Sequence, residues 1–264
     1  MIYNNYMTKI NLGNLPFKLL KNIYISILRR LGINLDHGHT WERLAPQYRN
    51  NEITNLLYGF VANLLPIYLS TNSDLLLKRA RTEDQIKSAS FALGDHYKLL
   101  KSLALSINAK NVIDIGTYTG MSAISFLDAN CKVKSFDIIN SLDLPDNIIT
   151  EDDISGEKIS LICGDLFDDD FFVANINNFI DADIIFFDGP KFGGFEQKIL
   201  PKILALNYYK NTIVVMDDIH MKKMKILWYE LNYPRLDLSL LGHISGTGII
   251  FPKFGKVNVS TNNY

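Results

Sequence analysis

The chain has 264 residues, of which 47% are hydrophobic and 21% charged, with a net charge of -1. That fits one large α/β domain or a domain with an appendage, and it is long enough to bury a core. The near-neutral charge speaks against a general nucleic-acid surface. The two cysteines, Cys131 and Cys163, lack metal-type spacing, sit in apolar segments, and read as buried free thiols in a reducing, cytoplasmic compartment.

Met1 to Tyr6 is polar and no clean apolar stretch follows, so no signal peptide is expected. Residues 1 to about 80 carry helical periodicity and no convincing strand. Pro16 to Leu31 reads as a helix stopped by Gly32. Met1 to Leu35 holds five basic residues and no acidic one, a pattern open to two readings: a helix lying on an anionic membrane surface, or one packed on its own domain with a solvated basic edge. The apolar segment Leu56 to Ser70 is interrupted by Asn63 and Pro66, and is too short and broken to be expected to span a bilayer. Residues 1–83 are therefore expected to form a helical extension. It would lid an acceptor site or mediate a homodimer, because its apolar faces need burial.

From Asp84 the pattern changes. Asp84 to Ile107 reads as one helix, and then strands and helices alternate. Strands are predicted at Asn111–Ile115, Lys132–Ile138, Lys158–Cys163, Asp183–Phe187 and Thr212–Met216. Helices are predicted at Met121–Ala129, Phe195–Leu206 (with Pro201 inside) and Met221–Leu231. Leu236–Leu241 and Gly248–Phe251 look like two closing strands, and the short link from Gly242 to Thr247 makes them an antiparallel pair. Residues 84–264 thus read as an α/β, Rossmann-like doubly wound sheet of seven strands, mainly parallel, with an antiparallel last strand.

In such a sheet, ligands bind beyond the carboxyl ends of the strands. The first strand ends in Asp114-Ile115-Gly116-Thr117-Tyr118-Thr119-Gly120. Gly116 allows a sharp turn, and Gly120 is expected to let the next helix begin close to a ligand. There is no G-x-G-x-x-G, so a dinucleotide cradle is poorly supported. Asp137 ends the second strand, where a carboxylate can accept hydrogen bonds from ribose hydroxyls.

The run Val112 to Ala123 resembles the first motif of S-adenosylmethionine-dependent O-methyltransferases, nearest the catechol and caffeoyl-coenzyme A type and bacterial sugar and antibiotic methyltransferases. The resemblance continues through Phe136-Asp137, Cys163-Gly164-Asp165-Leu166, Phe186-Phe187-Asp188-Gly189-Pro190-Lys191 and Val215-Met216-Asp217-Asp218. It implies a class I methyltransferase in which Gly116, Thr117, Tyr118 and Gly120 line the cofactor's amino-acid end. Asp114 would organise that loop or reach the ammonium through water, Asp137 would hold the ribose, and Asp165 with Leu166 would border the adenine. Tyr118 stands where the motif usually has a third glycine.

Methyl transfer needs an aligned, deprotonated acceptor. Three carboxylates, Asp188, Asp217 and Asp218, end neighbouring strands. If they converge, a divalent cation such as Mg2+, Mn2+ or Ca2+ would relieve their repulsion and stabilise an alkoxide. In the catechol type, matching positions bind a metal. This chain departs from it in having Asp-Asp rather than an acid followed by Asn, and in Asp-Gly-Pro-Lys without the second acid. His220, just after Asp217-Asp218, and Lys191, beside Asp188, are candidate bases. His243 falls in the glycine-rich link, and His37, His39 and His96 show no partner in the sequence. The expected acceptor is a small molecule or glycan hydroxyl. A nicotinamide-dependent oxidoreductase and a non-catalytic binding protein on the same fold are the competing readings.

Overall fold

The computed structural model describes residues 51–90, 95–191 and 193–255. The basic N-terminal helix expected at 16–31 lies outside them. Four helices come first: α1 (Asn51–Ser70), α2 (Asp74–Arg79), α3 (Glu83–Ser90) and α4 (His96–Ser106). They are followed by β1 (Asn111–Ile115), α5 (Met121–Asp128), β2 (Lys132–Asp137), α6 (Glu151–Ser155), β3 (Ile159–Cys163), α7 (Asp169–Ala174) and α8 (Ile176–Ile180). The remainder is β4 (Ile184–Phe187), α9 (Gly194–Leu204), β5 (Ile213–Asp217), α10 (Lys222–Glu230), β6 (Arg235–Asp237) and β7 (Thr247–Ile250).

The seven strands lie in the order β3-β2-β1-β4-β5-β7-β6. Pairings among β1 to β5 are parallel, and β7 runs antiparallel to both β5 and β6. The order reverses between β1 and β4, so their carboxyl ends flank the switch point where such sheets open a ligand crevice. Alternation along the strands feeds two hydrophobic layers. Val112, Ile184, Phe186, Ile213 and Val215 face one layer. Ile113, Ile185, Phe187, Val214 and Met216 face the other. This period of two is what a strand buried on both faces requires.

Helix α1 illustrates how composition and burial part company. Over Glu52–Ser70 it is long and apolar enough to cross a membrane by those criteria alone. Its Leu57, Val61, Leu64 and Leu65 pack into the same cluster as Leu99, Leu103 and the sheet residues Val112 and Phe186. Arg79, ending α2, reaches across to Asp153, whose second oxygen it meets at 3.0 Å. Asp153 also closes a capping box with Thr150 at the start of α6.

Three expectations need correction. The helix expected over 84–107 is two helices, with Asp95 at the N-cap of α4 and its carboxylate bound by Tyr68 Oη at 2.8 Å. The strand expected at 236–241 is only Arg235–Asp237, because the chain turns after Leu238, whose carbonyl accepts the N–H of Leu241 at 2.8 Å. Cys163 is exposed whereas Cys131 is buried. Cys163 ends β3, an edge strand, and lacks the cover that a central strand receives.

Candidate active site

A cavity of about 400 Å³ opens at the carboxyl ends of β1, β2 and β4. Its lining includes Gly116 and Tyr118 from the turn after β1, Asp137 and Asp165 from the ends of β2 and β3, and Asp188 with Gly189 after β4. Gly116 adopts φ +93, and a Cβ there would stand 2.0 Å from the Asp188 carbonyl oxygen. Asp188 N–H in turn donates to Ile115 O at 2.9 Å. The turn off β1 and the end of β4 therefore touch backbone to backbone, which only glycine permits.

The predicted cofactor residues divide into three groups. Gly116, Tyr118, Asp137, Asp165 and Leu166 line the cavity. Asp137 accepts the N–H of Tyr118 at 2.9 Å and of Ile139 at 3.1 Å. Tyr118 itself sits at φ 44, so the carboxylate pins the loop in a shape that a non-glycine residue seldom adopts. Asp165 accepts the N–H of Phe167 at 2.8 Å. Thr117 is buried, and its Oγ1 is, among the described residues, the buried side-chain polar atom that finds no partner. Such an orphaned hydroxyl points to a group still to be received.

Asp114 and Gly120 belong to the frame. Asp114 is fully buried and accepts Ser122 Oγ at 2.9 Å and Ser135 Oγ at 2.8 Å, joining β1 to α5 and β2. Burial pushes its carboxyl up to about 7, with the two serine hydroxyls pulling the other way. Of the two roles expected for it, organising the loop is the one this placement serves. Gly120 (φ +90) faces Ile149, whose Cγ1 would be 2.5 Å from an added Cβ. Its glycine is required by that packing at least.

Beyond Asp188 the site becomes a network of charges. One oxygen from each of Asp188, Asp217 and Asp218 lies within 4.8 Å of the others, so the predicted trio does come together. Lys191 Nζ lies among them, 2.5 Å from Asp188 Oδ1, 3.0 Å from Asp217 Oδ2, and in contact with Asp218 Oδ2. Desolvation works against its charge, but Asp188 and Asp217 outweigh that and hold the ammonium well above the usual lysine range. Desolvation, and after it Asp217, drives the Asp188 carboxyl well above the ordinary carboxylate range, with Lys191 opposing. Burial would raise Asp217 too, but His96, His243 and Lys191 outweigh it and keep Asp217 strongly acidic.

Two histidines that sequence reasoning left aside complete the network. His243 Nε2 lies 2.6 Å from Asp217 Oδ1, and its Nδ1 lies 2.5 Å from Ser245 Oγ. The His96 ring packs against it at 4.5 Å between centroids, with Nδ1 3.8 Å from Asp217 Oδ1. Burial lowers His96 to about 4, so it is neutral near pH 7. The signal for His243 lay in the antiparallel pairing of β5 with β7, which sets Asp217 opposite Thr247 and brings the preceding link to the end of β5. His220, the other candidate base, places Nε2 2.8 Å from Asp237 Oδ2 on β6. It is not among the described residues that line the cavity.

No protein-family model matches the chain, and no curated protein matches it. Solved structures similar to it include an SAH-bound methyltransferase from Podospora anserina, at 15% identity and a TM-score of 0.46, covering 90% of this chain and 97% of that one. The O-methyltransferase from Bacillus cereus in complex with SAH is similar at 15% identity and a TM-score of 0.46, covering 73% and 90%. The O-methyltransferase TomG from Streptomyces achromogenes in complex with SAM is similar at 15% identity and a TM-score of 0.47, covering 72% and 95%. The likeness is one of fold; the chemistry of the site rests on its own residues.

Proposed function

We propose that the chain is a methyltransferase that draws its methyl group from S-adenosylmethionine and passes it to a hydroxyl of a small molecule or sugar. The observation that carries this reading is the shared wall: Asp188 borders the cavity and is at the same time a member of the charge network. A donor held in the cavity and an acceptor held by the network would meet there.

The cavity's residues fit that donor. Asp137 has lone pairs left after its two backbone bonds, enough for ribose hydroxyls. Gly116 keeps the turn clear of any side chain. Bound S-adenosylmethionine supplies a methyl group already activated on a sulfonium, which leaves the chain to align an acceptor hydroxyl and take its proton. Asp188 suits the proton transfer by its position, since it borders the cavity and belongs to the charge network as well. Lys191 keeps its own proton near neutral pH. Its part is to hold Asp188, Asp217 and Asp218 together against their mutual repulsion, which keeps Asp188 in place.

Calorimetry with S-adenosylmethionine, S-adenosylhomocysteine and NAD tests the reading. The first two should bind at one site per chain and the third should not. Binding of NAD alone would instead favour an oxidoreductase on the same sheet.

A further inference from the structure

Three carboxylates at the ends of two adjacent strands have the composition of a divalent-cation site, since all-oxygen ligation suits Mg2+, Mn2+ or Ca2+. In this structure the place among them is taken. The ammonium of Lys191 meets Asp188 Oδ1 at 2.5 Å, Asp217 Oδ2 at 3.0 Å and Asp218 Oδ2. A lysine ammonium carries three N–H donors and no acceptor, and here one carboxylate stands ready for each. A metal ion among the same oxygens would meet a like charge at contact distance, so the residues do not fit a divalent cation while Lys191 stays where it is.

The placement of Lys191 is built into the backbone. Lys191 lies at φ 63 and Asp218 at φ 56, both in the left-handed region although neither is glycine. Such conformations persist only where the surroundings enforce them. Glu196, fully buried in the first turn of α9, does so by accepting the N–H of Lys191 at 2.7 Å and of Gly193 at 2.9 Å. From the far side, His243 at 2.6 Å holds the Asp217 oxygen that Lys191 leaves alone. The lysine is aimed from one element and its target is braced from another.

We infer that Lys191 is a built-in cation occupying the position a divalent metal would take, so that the site works without one. The inference rests on the methyl-transfer reading for its consequence, though its test does not. Electron paramagnetic resonance titration of the full-length protein with Mn2+ should show no specific binding to the wild type. Lys191→Ala should bind one Mn2+ per chain, and Asp218→Asn added to it should abolish that binding. Removing the like charge should tighten Mn2+ affinity by roughly 100-fold or more. Lys191→Met, which keeps most of the side-chain volume, serves if the alanine variant misfolds. Stoichiometric Mn2+ binding by the wild type that is lost in Asp218→Asn would overturn the inference, and so would a folded Lys191→Ala or Lys191→Met that binds none. S-adenosylmethionine calorimetry on the same samples keeps the two questions apart: a wild type that binds neither S-adenosylmethionine nor Mn2+ would sink the methyl-transfer reading and leave the built-in cation standing.

Discussion

At the β1 to β3 side of the ligand edge, acids hold backbone. Asp137 takes the amides of Tyr118 and Ile139, and Asp165 takes that of Phe167. At the β4 to β5 side, side chains hold side chains: Lys191 binds three aspartates, and Asp217 is shared with His243. The first arrangement fixes loop shape and leaves carboxylate lone pairs for a ligand. The second is a set of mutual charges in which removing one member leaves others buried and unpaired. Substitutions should therefore act locally on the first side and collectively on the second.

The sharpest way to break that contrast is Lys191→Ala. Loss of a preorganised electrostatic contact should cut methyl transfer by about 100- to 1,000-fold. Affinity for S-adenosylmethionine should stay within about threefold, since Lys191 is not among the described residues that line the cavity. Initial rates and calorimetry on one preparation decide, and an equal loss in both would merge the two sides into one site. Asp137→Ala tests the other side. It should weaken S-adenosylmethionine by about 1.5–3 kcal/mol, the worth of a charge-assisted hydrogen bond. An unchanged dissociation constant in a folded variant would reduce Asp137 to a loop brace.

Gly116→Ala probes the seam between the sides. The strain of a non-glycine residue at φ +93, plus a Cβ at 2.0 Å from the Asp188 oxygen, should cost roughly 1–3 kcal/mol or more of folding stability. Denaturant unfolding measures it, and a neutral result would mean that the seam relaxes freely. The smallest effect should come from Asp153→Asn, away from both sides. Burial alone would raise the Asp153 carboxyl, but Arg79 and Thr150 outweigh it and hold it at about 2, below its ordinary 3.8. A depressed carboxyl adds stability above its unfolded pKa and loses it as pH falls through the folded one. The wild type should therefore exceed the variant by about 1 kcal/mol near neutral pH, mainly through the cap. That margin should fade between pH 3.8 and about 2. Thermal unfolding across that range checks it; a constant margin would remove the ion pair from the account.

The same contrast explains what could be read in advance. Strands β1 to β5 fall within a residue or so of their predicted limits, because short apolar or alternating runs are local signals. Gly116, Tyr118 and Asp137 were legible for the same reason: motif and partner lie within about two dozen residues of each other. Asp217 with His243, 26 residues apart, is a pair that only the β5–β7 register brings together. His96 reaches the site across 151 residues to Thr247, and nothing local marks it out from the other polar residues of α4. The capture of the carboxylate trio by Lys191 was also out of reach, since it depends on two left-handed residues that no propensity favours.

The contact between Gly116 and Asp188 has one more consequence. The offset between the cavity and the charge network is a main-chain dimension, fixed by an amide-to-carbonyl bond and a missing side chain. Side-chain replacement around the cavity can recolour its walls but cannot lengthen that offset. Under the proposed methyl transfer, redesign toward a bulkier acceptor would thus have to find its room outward, in the helices and loops above the edge, with the distance between cavity and charge network inherited unchanged.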